Sequence, residues 1–415
     1  MMDLIIKNAR LRGKDGLFQI GINAGRIAEI QVKIDAPAKQ EIDAEGRLVT
    51  AGFVNPHMHL DKALLGEQAK NLSATFEEAI RLTIDRKLHY SVDEICQRAQ
   101  AVIDMAILAG TTAMRGFADV DPYGGLRPVE ALLKLRELNR GIIDLQVVAF
   151  PQEGIVRQPG TEELLRQAME MGADVVGGIP WYEFDEYDAR AHIDTVFKIA
   201  KDFKADVHML VDDTDDPTSR TLEIVALATI RYGYQGRVTA SHSEALAAYD
   251  DYHAARVVRM VAEAGISICC NPHINLVLNG RRDKQPVRRG ITRVKELLGA
   301  GINICSGQDD VNDPYYPFGR CDQLEVASFV AHTAQLTFPN EIETVFDMVT
   351  LNAARAMQLS DYGLEVGKTA DLVVLDATSA AEAIRTQAVR RYVIKGGCVV
   401  AENSITRKLA RDSQG

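Results

Sequence analysis

GITRVKELLGAGINICSGQDD, residues 290–310, contains a helix, a turn, a strand and a pair of acids in one run. Ile291, Val294, Leu297 and Leu298 recur at helical spacing, and the glycines at 299 and 301 stop the helix. INIC is then an apolar run of strand length, and Asp309 and Asp310 stand where that strand would end. The same order of parts recurs upstream. TTAMRGFADV (111–120), LQVVAF (145–150), ADVVGGI (173–179), ADVHMLV (205–211), GRVTASH (236–242) and ISICCNP (266–272) alternate with helical stretches such as TEELLRQAMEMG.

Alternation of strand and helix over this length predicts an α/β fold, a parallel sheet closed into a (β/α)8 TIM-type barrel spanning residues 51–359. Placement of the polar residues supports closure. His57 and His59, Gln152, Asp212 and Asp213, His242, and Asp309 and Asp310 all fall at the carboxyl ends of apolar runs, which a barrel gathers at one mouth. An open doubly wound sheet calls for a glycine-rich phosphate turn after its first strand, and no convincing one is found. The two chain ends read differently. DLIIKNARL, GLFQIGINAGRIAEI, GKTADLVVLDA and VRRYVIKGGCVVAEN are short strands with turn punctuation, the last with a Gly-Gly hairpin. Residues 1–50 and 360–405 are therefore expected to pair into one small β-sandwich domain, because short strands with open edges need partners.

A net charge of -11 and the lack of a long Lys/Arg cluster argue against nucleic acid or an anionic membrane as partner. No segment has the apolar length of a membrane span. The six cysteines are scattered without a CxxC pair and read as reduced thiols, which points to a cytoplasmic protein.

The chemistry concentrates in FVNPHMHLDK, residues 53–62. His57 and His59 are two residues apart, so on a strand both rings face the barrel mouth, and imidazole is a common ligand for divalent metals. The structural alternative, a pair of hydrogen-bonded core histidines, is less favoured for two at one strand end. His242 and Asp309 also follow apolar strands. A carboxylate on the last strand can both hold a metal and take a proton from an attacking water, although paired acids at a strand end also cap helices.

The motifs NPHMHLDK, VVAFPQEGI, GADVVGGIP, GRVTASH, QDDVNDPYYPFG and DYGLEVGKTADLVVL, in this order along nearly the whole chain, resemble the amidohydrolase superfamily. The resemblance is to the branch of cytosine deaminase and N-isopropylammelide amidohydrolase. It implies one divalent metal ion, zinc or iron, with manganese equally suited to histidine and carboxylate ligands. The ligands it implies are His57, His59 and Asp309, with His242 completing the shell or orienting the water. It implies Asp309 as the group that deprotonates the water and Asp213 as the proton shuttle. Gln152, Lys62 and Asp310 would bind the substrate, a small amino-substituted nitrogen heterocycle that loses its amine by hydrolysis. Association into a homo-oligomer, common among such barrels, is left open.

Four positions depart from the pattern. A gapless count back from His242 puts the middle-strand ligand on Leu210, and the shuttle three residues later is Asp213 where a glutamate is usual. Phe117 and Gln308 also stand where histidines are usual. His208 shares a face with Leu210 but lies about 6.6 Å deeper, so it completes the shell in place of His242 only if a register slip or a bulge displaces it toward the mouth. The rival reading is a heterocycle-binding protein or lapsed enzyme whose metal site is weakened at Leu210.

Overall fold

The computed structural model describes residues 1–409. Eight strands build its central sheet: β6 (Phe53–His59), β7 (Thr111–Asp119), β8 (Asp144–Phe150), β9 (Val175–Gly178), β10 (Asp206–Val211), β11 (Val238–His242), β12 (Ser267–Cys270) and β13 (Ile304–Ser306). Each pairs in parallel with the next, in the order β13-β12-β11-β10-β9-β8-β7-β6. Every residue of β6 and β7 is buried, as expected of strands covered on both faces. Helices such as Glu186–Phe203 and Thr221–Tyr232 follow the strands and close the outside.

The ring is closed by backbone at the functional end. Asp309 N–H donates to His57 O at 2.9 Å, and His59 N–H donates to Asp309 O at 2.8 Å. Gly307 permits this approach, because a Cβ there would lie 2.8 Å from His57 Cβ and 2.9 Å from His57 O.

The strands of the chain ends form two further sheets. β1 (Met2–Ala9), β2 (Phe18–Asn23), β3 (Arg26–Gln31) and β4 (Ala38–Asp43) pair in the order β3-β2-β1-β4. β5 (Val49–Ala51) pairs with β14 (Leu372–Leu375), which continues to β15 (Arg390–Lys395) and β16 (Cys398–Glu402). Leu4, Ile6, Ile20 and Ile22 from the first sheet share one apolar cluster with Leu372, Val374 and Ile394 from the second. The intervening residues Val373, Leu375 and Val393 face the other way, into the core that contains the barrel's outer strand residues and helices. A strand's two-residue period thus lets one sheet serve both cores. Gly396 and Gly397, with φ of +54° and +79°, make the tight turn between β15 and β16. No helix among the described residues is long and apolar enough to cross a membrane.

Candidate metal and heterocycle site

At the carboxyl end of the barrel, His57 and His59 project from one face of β6, and Asp309 is held between them by the closing backbone bonds. His57 Nε2 lies 3.2 Å from His59 Nε2, and Asp309 Oδ1 lies 3.3 Å from each. Ligand atoms about 2.1 Å from one ion at roughly tetrahedral angles are about 3.4 Å apart, so these three atoms have the spacing of three corners of a metal shell. Burial lowers the His57 pKa to about 3 and drives that of His59 well below its usual value, so both imidazoles are neutral and keep a lone pair for a cation. The donor set fits a divalent ion.

Two of the strand ends are strained. His242 has φ +70° and Asp309 φ +72°, a region that ordinary residues avoid. Dense bonding holds the neighbouring turn: Ser243 N–H donates to Val211 O, and the Asp212 carboxylate accepts the N–H groups of Thr221 and Leu222. Asp212 is therefore a helix cap and does not face the chamber.

His242 reaches Asp309 Oδ2 through Nε2 at 3.5 Å and Asp213 Oδ1 through Nδ1 at 3.4 Å. Asn275 Oδ1 accepts from Asn271 N–H, so Asn275 turns its Nδ2 toward His242 Nδ1 at 2.9 Å. An amide nitrogen only donates, so Nδ1 accepts and the His242 ring proton sits on Nε2, facing Asp309. Asn271 Nδ2 donates to Asp309 Oδ2 at 3.1 Å. Burial raises the pKa of Asp213 and of Asp309, and that of the buried Glu244 beside Asp213 more strongly. Sequence reasoning missed Glu244, Asn271 and Asn275. They stand just beyond strand ends, and only the placement of His242 and Asp309 reveals their partners.

Leu210 lines the chamber, and its side chain packs with Phe117, Phe150 and Ile179. Phe117 stacks on His57 with ring centroids 4.1 Å apart. Gln308 turns away and donates to Asp310 O at 3.3 Å. His208 lies behind this layer and does not line the chamber, yet it is connected to it. Arg115, buried at the barrel floor, donates to Gln146 Oε1 and to His208 Nδ1 at 3.2 Å. His208 Nδ1 must then accept, so Nε2 carries the proton and donates to Ser241 Oγ at 2.5 Å. Ser241 Oγ lies 2.7 Å from His57 Nδ1. For His57 to offer a bare Nε2, Ser241 must accept the Nδ1 proton as well, which its second lone pair allows.

Lys62, Gln152 and Asp310 line the other side of the chamber. Lys62 Nζ donates to Gln152 Oε1 at 2.6 Å and to Asp119 Oδ1 at 3.1 Å. Behind them the buried Lys87 pairs with Asp119 at 2.6 Å, Asp121 at 2.8 Å and Glu153 at 3.0 Å. That network was not foreseen, because a lysine at the end of an amphipathic helix reads as solvated. Phe76, Trp181 and Leu278 line both the chamber and an outer recess of about 660 Å³.

Residues 40–401 match the model of the amidohydrolase family. The chain is 33% identical over 410 residues to N-isopropylammelide isopropyl amidohydrolase of Pseudomonas sp. (strain ADP), covering 97% of this chain and 98% of that one. It is 30% identical to pterin deaminase of Rhizobium rhizogenes, over 91% of this chain and 86% of the other. The crystal structure of 5-methylcytosine deaminase from Klebsiella pneumoniae with 5-fluorocytosine superposes with a TM-score of 0.94 at 37% identity, covering 98% of this chain and 100% of that one.

Proposed function

The chain belongs to the amidohydrolase family, hydrolases of C–N bonds, and we propose that it removes the amine from an amino-substituted nitrogen heterocycle, cytosine-like or aminotriazine-like, by metal-dependent hydrolysis. The observation that carries this reading is the meeting of His57 Nε2, His59 Nε2 and Asp309 Oδ1 within 3.3 Å of one another. His57, His59 and Asp309 would hold one divalent ion, zinc, iron or manganese. Such an ion supplies Lewis acidity that brings the pKa of a water toward neutrality.

The rest of the chemistry falls to the side chains. Asp309 takes the proton of the attacking water, and His242, with its Nε2–H directed at Asp309, holds that water in line. This role suits His242 better than that of a fourth ligand, because its Nδ1 lone pair is already engaged by Asn275. Asp213, whose pKa burial has raised, gives a proton to the ring nitrogen and regains one from the second O–H of the attacking water, while the proton taken up by Asp309 goes to the departing amine. Being one methylene shorter than glutamate, it requires the ring to sit closer to β10. Gln152, Lys62 and Asp310 fix the far edge of the ring, and Ile179 and Leu210, backed by Phe117 and Phe150, pack its flat side. Six free cysteines suit the reducing cytoplasm.

A binding-only role, which Leu210 invites, is not favoured, because the three-atom donor set and His242 are in place without it. The test is ammonia release from a panel of aminopyrimidines, aminotriazines and pterins by the metal-loaded protein and by the same protein stripped with chelator. Release by the loaded form alone is expected. Binding of a ring by loaded protein without release from any of them would overturn the assignment.

A further inference from the structure

The loop after β8 carries Gln152 and the turn after β9 carries Ile179 and Trp181, and all three line the chamber. What holds loop and turn together lies outside it. Lys62 fixes the tip of the Gln152 side chain, and Lys87 pairs with Glu153. The next backbone N–H groups, after Gly154, have no carbonyl acceptor among the described residues. They converge on one carboxylate instead. Glu183 Oε1 accepts from Ile155 N–H at 2.7 Å and from Val156 N–H at 3.0 Å, and Oε2 accepts from Arg157 N–H at 2.7 Å. Gly154 permits this approach: it has φ +86°, and a Cβ there would stand 3.0 Å from Glu183 Oε1. Successive N–H groups turned to one point make an anion-binding concavity, and here the anion is the protein's own side chain.

A second residue ties that carboxylate to β9. The buried His192, on helix Glu186–Phe203, has Nε2 at 2.9 Å from Ile179 N and Nδ1 at 2.7 Å from Glu183 Oε1. A backbone N–H only donates, so Nε2 accepts, and the ring proton sits on Nδ1 and is donated to Glu183. Burial lowers the His192 pKa, which keeps the imidazole neutral. Burial works against the charge of Glu183, yet the hydrogen bonds from His192 and the loop hold its pKa below the usual value. Arg157 adds a contact of the same sense, with its guanidinium 4.4 Å from the centre of the Tyr182 ring and 4.3 Å from that of Phe184.

We propose that Glu183 and His192 are positioning residues for the reaction: they lock the loop of Gln152 to the end of β9, and so fix the spacing between the amide at the ring's far edge and the Ile179 wall against its face. The inference rests on the heterocycle reading of the site and adds two residues that do not line the chamber. Such a clamp acts on how the ring is held and not on the ion, because His57 and His59 come from β6 and Asp309 from just beyond β13.

The test is a double-mutant cycle on the metal-loaded full chain. The probe is uracil, which has no amine to lose, or cyanuric acid where uracil does not bind, and its dissociation constant is read by calorimetry. Glu183→Gln keeps the size of the side chain but sets an NH2 against backbone N–H groups. Ring binding is expected to weaken by roughly 3–10-fold, the worth of a hydrogen bond that Gln152 no longer places well. In a Gln152→Ala background the same substitution should cost less than about twofold, since the group it positions is gone. Metal content per chain should stay the same in all four proteins. No loss in the first background, or an equal loss in both, overturns the proposal and leaves the pair a purely structural role. A loss of metal in step with the loss of ring binding overturns it too. If Glu183→Gln does not fold, the same cycle with His192→Phe, which removes both bonds of the imidazole and keeps the carboxylate, decides it. Ammonia release from the panel of aminopyrimidines, aminotriazines and pterins, measured alongside, separates the two readings. Release with an additive cycle removes the clamp and leaves the deaminase reading, whereas a non-additive cycle without release does the reverse. A wild type that binds neither ring overturns both.

Discussion

The mouth of the barrel has two unlike halves. From β11 round to β6, strand ends deliver His242, Asn271, Asp309, His57 and His59, joined by hydrogen bonds and strained at His242 and Asp309. From β7 to β10 the same inward positions carry Phe117, Phe150, Ile179 and Leu210, an apolar wall with no donor atom among these side chains. Both halves stand on the same parallel-strand scaffold, and they differ in their side chains and in the left-handed backbone at His242 and Asp309. A barrel can therefore lose one ligand position to a hydrocarbon side chain without disturbing the rest of the site, provided that the remaining donors come from the strands at the closing seam.

Breaking the polar half should have the largest effect. Asp309→Ala removes both a ligand and the proton acceptor, and kcat/KM for ammonia release is expected to fall by about 10³ or more. A loss of less than about tenfold would mean that another carboxylate serves as base. One layer out, Ser241→Ala severs His57 from His208 and Arg115. Metal affinity, read by competition with a chelating dye, should weaken by roughly 10–100-fold. An unchanged affinity would show that the orientation of His57 depends on Phe117 stacking alone.

The apolar half gives smaller effects, and they sharpen the contrast. Leu210→His puts an imidazole at the ligand position suggested by alignment with His242. Metal affinity should rise on the order of tenfold, and indifference would mean that the wall has moved out of reach. Leu210→Met keeps the volume and should cost under about 1.5 kcal/mol in denaturant unfolding, with no change in metal affinity. A loss of metal in that variant would contradict the view that the wall acts through shape.

The fold was largely legible because its elements are periodic: strand-length apolar runs, helices between them, and polar residues at the carboxyl ends. In the site, the pair His57 and His59 could be read from its two-residue spacing, and Asp309 and His242 from their places after apolar runs. The residues that orient them could not. Ser241 matters because it lies between rings from β6 and β10, and Asn275 because its helix passes over His242. Such contacts join residues far apart in sequence and leave no local pattern. The register of ADVHMLV placed Leu210 in the mouth and His208 deeper. It did not indicate that His208 would reach His57 through a serine.

The central claim is that His57, His59 and Asp309 hold a catalytic ion although Leu210 supplies nothing. Metal content per chain, by elemental mass spectrometry on protein purified without chelator, tests it most directly when wild type and Asp309→Ala are compared. Close to one equivalent of zinc, iron or manganese is expected in the wild type and a large loss in the variant. A wild type that holds no divalent metal even after incubation with each ion, or a variant that holds as much as the wild type, would contradict it.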